Sequence, residues 1–380
     1  MPVFERCTEL PVTAAVAYAW HARDGALTRL APPGLQVLWS RGAFEERHLA
    51  MRPGFGQPLW HIIHEDAVIG RKFVDRQVRG PMRHWRHEHM FEPHGPDRCL
   101  LVDRIEWEFP VPPVGRWLAG RWLGGMLHRM FVDRHRITRD DLAQHAQWEH
   151  VPRRSVVLLG CGSWIGDAVW AYLSTAGHRV CRYTGLEPAG TQRLEPADVV
   201  LDMRALASKP GKGHNSEGLD DVMRTVRPAV HVVATQWPPQ LQRELPQSDT
   251  IRHVCLCVGV VVPDRAGLQP SLPQVRGPQP WIALQDLLGI VEAAMCDAQW
   301  RGSIDVAAPQ RMDPRELPAL WARPRWPVGP RLGLLSHVAS ESSPEGQALQ
   351  RFGYRYRYPD LAGALTCLAS PAANLYNFNE

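Results

Sequence analysis

Residues 155–177 constrain the chain more tightly than any other stretch. Ser155-Val156-Val157-Leu158-Leu159 is a short, unbroken apolar run, the pattern of a strand buried on both faces. Gly160-Cys161-Gly162-Ser163-Trp164-Ile165-Gly166 follows at once, and a helical pattern then runs to Thr175 with Gly177 as its stop. Strand, glycine turn and helix in this order form the context of a phosphate-cradling turn in a parallel α/β sheet. The glycines let the backbone approach a pyrophosphate, and the helix N-terminus offers N–H groups and a positive dipole.

The 380 residues suggest two domains. With 44% apolar and 22% charged residues, composition excludes disordered, collagen-like and disulfide-scaffold classes. No stretch has the length and apolarity of a membrane span. The N-terminus MPVFERCTELPV lacks a basic-then-apolar leader, so a cytoplasmic location is expected. Eight scattered cysteines without a CxxC pair read as reduced thiols. The net charge of +4 is mild, and no basic run with interleaved aromatics marks a nucleic-acid face. Only three lysines occur, Lys72, Lys209 and Lys212.

His150-Val151-Pro152-Arg153-Arg154 separates two stretches of different character, giving a first domain over 1–150 and a second over 154–380. In the first, a helix is expected from Thr13 to Leu30, interrupted at Gly25. Strands are expected at 36–39, 71–77, 84–91 and 99–109. From Arg116, apolar residues Leu118, Trp122, Met126 and Met130, continued by Ile137 and Leu142, trace a long amphipathic helix. A curved antiparallel sheet gripping that helix would leave a ligand cavity lined by Trp85, His87, His89, Phe91, Asp103 and Trp122. Period-two alternation puts Trp85, His87, His89 and Phe91 on one strand face. Asp103 shares a face with Ile105 and Trp107. His87, His89 and Asp103 are the acid/base candidates. Two histidines at i, i+2, joined by His61 or His64, could also hold a metal. No carboxylate completes a recognisable spacing, so the expectation is no metal, with the histidines lining a polar wall.

The strings FVDRQVRGPMRHWRHEHMFEP (73–93), LLVDRIEWEFP (100–110) and FVDRHRITRDDLAQH (131–145) resemble START-like, helix-grip domains of the bacterial polyketide cyclase/dehydrase-like branch. That resemblance implies a pocket for a hydrophobic or amphipathic small molecule. In the second domain, SWIG, HRVCRYTG (178–185) and ADVVLDM (197–203) resemble the first three strands of an epimerase-type extended short-chain dehydrogenase/reductase. IRHVCLCVGVVVPDRAGLQ (251–269), PWIALQDLLGIVEAAM (280–295), RGSIDVAAPQ (301–310) and FGYRYRYPDLAGALTCL (352–368) resemble its later segments, the last being a bacterial subfamily signature. The fold class expected is therefore an α+β helix-grip domain followed by a Rossmann-like, doubly wound α/β sheet. The second resemblance implies NAD(P), held by Gly160, Gly162, Ser163, Gly166 and Arg182.

The chain departs from this second family where chemistry is done. Ser163 replaces the middle glycine of G-x-x-G-x-x-G, and the Arg expected after the second strand aligns with Gly185, with Arg182 nearby. No Tyr has Lys four residues on. That pair supplies the family's acid/base, a tyrosinate whose pKa the ammonium lowers. Thr235 aligns with the Ser/Thr partner, yet WPPQLQRELPQSD, which follows, is too short for the helix that carries Tyr and Lys. The expected function is binding of a hydrophobic small molecule by the first domain, with the second a pseudoenzyme scaffold, sensor or protein-docking surface. The Trp321–Trp326 segment is a candidate for such docking. Two alternatives stand beside it: an NAD(P)-dependent epimerase or reductase using unconventional residues, and a cyclase, dehydratase or isomerase in the first domain.

Overall fold

The structure, a computed structural model, describes residues 1–32, 35–52, 59–110, 113–183, 194–207, 218–237, 250–264, 277–313 and 344–368. The chain divides into two compact units, Met1–Ala146 and Gln147–Ala369. Lys209, Lys212, Gly185, Trp321–Trp326 and most of WPPQLQRELPQSD lie outside the described residues. No described helix is long and apolar enough to cross a membrane.

Unit 1 is built on a seven-stranded antiparallel sheet. Its strands are β1 (Val3–Leu10), β2 (Gln36–Arg41), β3 (His48–Arg52), β4 (Trp60–Val68), β5 (Lys72–Arg79), β6 (His84–Pro93) and β7 (Cys99–Glu108), in spatial order β1-β7-β6-β5-β4-β3-β2. Three of these, β1, β3 and β4, are additions to the strands expected from sequence. The expected first helix is two: α1 (Ala14–Ala22), capped by the Thr13 hydroxyl, and α2 (Gly25–Leu30), with Gly25 opening the second piece. The long helix is α3 (Pro113–His145).

The first half of the buried row of α3 is displaced by one residue from the expected one, whereas Ile137 and Leu142 are buried as expected. Leu123, Leu127, Phe131, His135, Thr138 and Leu142 are buried, whereas Trp122 is 49% exposed. Two adjacent apolar rows compete on this helix. Turning the Trp122–Met126–Met130 row fully inward would carry Arg134 towards the interior. The row actually buried brings in His135, whose two ring nitrogens both find polar partners in the sheet, Thr8 and Asp103. The interior of unit 1 holds two large apolar clusters and a small one of Leu49, Met51 and Ile62. One large cluster surrounds Tyr18, Trp20, Phe44, Phe73 and Phe91; the other surrounds Phe4, Trp85, Ile105, Trp107, Leu127 and Phe131.

Unit 2 contains a six-stranded parallel sheet of β8 (Ser155–Leu159), β9 (Arg179–Tyr183), β10 (Val199–Asp202), β11 (Val230–Gln236), β12 (Arg252–Val258) and β15 (Gly302–Val306). Their order is β15-β12-β11-β10-β8-β9. Among the described residues β10, the segment expected as the third strand, pairs with β8 and not with β9. The order of connection reverses between β8 and β10, so the switch point falls at the glycine turn after β8. A small second sheet joins β13 (Val260–Val262), β14 (Gln279–Ala283) and β16 (Arg311–Met312). Helices α4 (Trp164–Ala176), α5 (Arg204–Ala207), α6 (Leu219–Val226), α7 (Leu284–Cys296), α8 (Pro344–Arg351) and α9 (Leu361–Leu368) complete the unit.

The string FGYRYRYPD fastens the end of unit 2 to α7. Asp286, in the first turn of that helix, accepts hydrogen bonds from the backbone N–H groups of Arg357 (2.7 Å) and Tyr358 (2.9 Å) and from the Tyr354 hydroxyl (3.1 Å). Tyr356 donates to the carbonyls of Ala307 and Gly346, both at 2.7 Å. Burial lifts Asp286 to about 6 against the pull of these donors. This distinctive stretch of sequence is thus a structural latch.

Candidate functional site: a buried histidine–aspartate cluster

The alternation of β6 is explicit. Trp85, His87, His89 and Phe91 are buried, and the intervening His84, Arg86, Glu88 and Met90 are less so. Antiparallel register then sets the neighbours. On one side His89 faces Asp103 of β7, and on the other His87 faces Asp75 of β5. Because paired residues share a face, two carboxylates flank two imidazoles on the inward side of the sheet.

Asp103, 3% exposed, gathers three histidines. His87 Nε2 donates to its Oδ1 at 2.8 Å, and His135 Nε2, from α3, donates to its Oδ2 at 2.6 Å. His89 Nδ1 lies 2.7 Å from Oδ1, but off the N–H direction, so it makes no aligned bond there. His135 Nδ1 lies 2.8 Å from the Thr8 hydroxyl of β1, which itself donates to the Cys7 carbonyl at 2.8 Å. Asp75 is the second carboxylate. Its Oδ2 lies 3.3 Å from His89 Nε2 and 3.7 Å from His87 Nδ1, and its Oδ1 lies 3.1 Å from His64 Nε2. His64 in turn donates from Nδ1 to the Phe44 carbonyl at 2.7 Å.

Apolar rings close the cluster from both sides. Phe73 stacks on His89 with centroids 4.1 Å apart, and Phe131 meets His87 edge-on at 5.3 Å. The polar group thus lies where the two large apolar clusters of unit 1 separate. Burial would push both carboxyls up, but the His89 charge and the hydrogen bonds from His135 and His87 hold Asp103 far below the usual carboxylate range. His64, His89 and His87 do the same for Asp75. Burial alone would lower His89, yet Asp103 and Asp75 together lift it to about 9. Burial and the neighbouring His89 charge push His87 down to about 4. Two neighbouring imidazoles, tilted by 44° with centroids 3.8 Å apart, are therefore pushed in opposite directions, His89 towards the charged form and His87 towards the neutral one.

His21, on α1, is the outer neighbour of this group, 8% exposed and 6.1 Å from His89 between ring centroids. It donates from Nδ1 to the Ala17 carbonyl at 2.8 Å. Burial and the charges of His89 and Arg134 push it down to about 3, against the Ala17 bond and Asp103. The unfolded chain therefore takes up the His21 proton first, at its ordinary value near 6.5. The stability this residue contributes is complete above that pH and is lost as pH falls towards 3, at about 1.4 kcal/mol per pH unit. Urea titrations at about pH 6 and pH 4 check this: His21→Leu should lose about 2 kcal/mol less than the parent protein across that interval. Equal losses would remove His21 from the account.

The other residues singled out by sequence divide. Trp85 packs edge-on against Trp60 at 5.0 Å, and Phe91 is 1% exposed beside His21, so both share the face of the cluster. Trp122 does not join them. His61 sits at a more open part of the sheet, 3.2 Å from His48, whereas His64 reaches Asp75. Asp75 and His135 are not among the residues singled out from sequence. His135 interrupts an otherwise apolar buried row of α3, a signal that points to it, whereas Asp75 stands in a mixed row with Gln77 and carries no such signal.

In unit 2, Gly160 and Gly162 adopt φ of +92° and +88°. A Cβ at Gly160 would meet the backbone of Met203 and Arg204 at 2.7 Å. Ser163 caps α4, its Oγ accepting from Gly166 N at 3.0 Å and donating back to the Gly160 carbonyl at 3.3 Å. The Asp167 carboxylate accepts from Gly162 N at 3.3 Å and from Arg182 at 2.6 Å, and Arg182 also lies over the Trp170 ring. Thr235 stands opposite Cys257 across the β11–β12 pair. Lys72, the one lysine among the described residues, is on β5 of unit 1.

No protein-family model matches the chain, and no curated protein is significantly similar to it. Among solved structures, the Zhui aromatase/cyclase from Streptomyces sp. R1128 shares 12% identity, covering 38% of this chain and 95% of that one with a TM-score of 0.32. Norcoclaurine synthase from Thalictrum flavum, in complex with dopamine and hydroxybenzaldehyde, shares 15% over 36% of this chain and 84% of that one, with a TM-score of 0.31. The crystal structure of a nucleoside-diphosphate sugar epimerase from Corynebacterium glutamicum is similar over 97% of this chain and 90% of its own, at 18% identity and a TM-score of 0.67, a likeness of fold.

Proposed function

We propose that unit 1 is a START-like helix-grip domain that binds an amphipathic small molecule. Its polar end would meet the His87–His89–Asp103 wall, and its apolar part the neighbouring aromatic rings. Unit 2 is then a Rossmann-like domain that serves as scaffold or sensor and performs no short-chain dehydrogenase chemistry. The observation that carries this reading is the burial of Asp103, His87, His89 and His135 together inside unit 1, with the half-buried Asp75 against the two strand histidines. Apolar residues of similar volume would commonly serve stability as well or better. Strongly perturbed titratable groups grouped in this way mark functional sites.

The glycine turn of unit 2 does not fit a pyrophosphate. The Asp167 carboxylate already takes the Gly162 N–H and would repel a phosphate at that helix N-terminus. Arg182, the candidate for a 2′-phosphate, is engaged with Asp167. The absence of Tyr-x-x-x-Lys from the whole sequence removes the proton-transfer pair independently.

A second reading is favoured by the split imidazoles. His89, raised to about 9, is a proton donor, and His87, lowered to about 4, is a neutral acceptor beside it. Such a pair suits a cyclisation, dehydration or isomerisation in unit 1. The experiment has two arms. Native mass spectrometry of the purified chain should show a co-purified small molecule, lost in His87→Leu/His89→Leu. Fluorescence titration with NADH should show no binding at millimolar concentration. A chain that carries no small molecule, and does bind NADH, would reverse the assignment of roles.

A further inference from the structure

We infer that Asp75, His87 and His89 form a binding site for one first-row transition-metal dication, oriented from behind by Asp103. The three donor atoms lie within 4.8 Å of one another. Asp75 Oδ2 is 3.3 Å from His89 Nε2 and 3.7 Å from His87 Nδ1. A tetrahedral site with bonds of about 2.0–2.2 Å has donor–donor edges of about 3.3–3.6 Å, close to the two edges that Asp75 Oδ2 makes with the imidazoles.

Asp103 supplies the second argument. One of its oxygens lies 2.8 Å from His87 Nε2 and 2.7 Å from His89 Nδ1. With His87 Nε2–H donating to that oxygen, the lone pair on His87 Nδ1 faces Asp75 Oδ2, and a metal ion would displace the proton that His89 Nε2 otherwise shares with the same Asp75 oxygen. Three electron-rich atoms then converge in a buried place, an arrangement that a cation between them satisfies. A carboxylate behind each ligating imidazole is the pattern that fixes tautomer and raises basicity in metal sites. Two nitrogen donors and one carboxylate favour zinc, iron or cobalt over magnesium or calcium. The Asp75 side chain keeps 16% exposure, which leaves that ligand in reach of solvent and of an incoming group. Sequence reading set a metal aside because no carboxylate stood at a ligand spacing. The register of β5 against β6 supplies one from across the sheet.

This inference goes beyond the reading of unit 1 as a small-molecule site and does not depend on it, since the ligands are the protein's own side chains. Its test uses Co2+ alone, with the full chain stripped by chelator. Titration should give visible d–d absorption saturating at one Co2+ per chain. His87→Ala and His89→Ala should abolish the band, and Asp103→Asn should weaken binding roughly 10- to 100-fold. The double variant His48→Ala/His61→Ala, removing the other close histidine pair of unit 1, should leave the band unchanged. Hydrogen exchange confirms that each variant is folded. No band in the parent protein would overturn the site, as would a band retained by folded His87→Ala and His89→Ala or lost in His48→Ala/His61→Ala. A failed titration leaves the mass-spectrometric test of ligand binding untouched, and the reverse holds equally.

Discussion

Replacing Asp103 with Asn will destabilise unit 1 by about 3–5 kcal/mol, the range for removing one partner of a buried ionic group. The carboxylate accepts from His87 at 2.8 Å through one oxygen and from His135 at 2.6 Å through the other. An amide of the same shape offers one oxygen and turns an N–H2 against ring donors, so at least one buried nitrogen loses its acceptor. The charge that holds His89 protonated disappears as well. Hydrogen exchange at the β6 and β7 amides reads the effect locally, because those strands carry the residues that lose their partner. A change below about 1 kcal/mol would mean that the cluster relaxes freely, and the carboxylate would lose its place as the centre of the site.

Arg29→Met should have an effect of the same size by a different route. Arg29 on α2 makes a two-pronged ion pair with Asp141 on α3, at 2.9 and 3.0 Å, and both side chains are 0% exposed. Removing the guanidinium strands a carboxylate in the interior, at a cost of about 3–5 kcal/mol. The double variant Arg29→Met/Asp141→Leu removes both charges and should recover most of that loss, because apolar replacement of a whole buried pair is often neutral or better. Denaturation of the four-member cycle gives the coupling energy directly. Additive losses would show that the two side chains do not act as a pair. The helix α2 spans only six residues, so this contact carries more of its anchoring than its own hydrogen bonds do.

The two halves were legible to different degrees. In unit 2 the strand, turn and first helix were readable because their signals are local: an apolar run, glycines at positive φ, a serine cap and a glycine stop. Their order in the sheet was not, since nothing in 197–203 says whether that strand pairs with β8 or β9. In unit 1 the inward face of β6 was readable from its period of two. The inward face of α3 was not, because two apolar rows run side by side on it and only the sheet decides between them.

From its own order of residues, then, the chain determines that His87 and His89 share a face with Trp85 and Phe91, because the pleat of a strand imposes that on any sequence. The same order shows that a Tyr–Lys pair at helical spacing is missing. Only tertiary structure brings Asp75, Asp103, His135 and His64 to those two rings, from two neighbouring strands, the long helix and a further strand. Strand register and helix rotation set these meetings, and both are fixed by the packing of the whole unit.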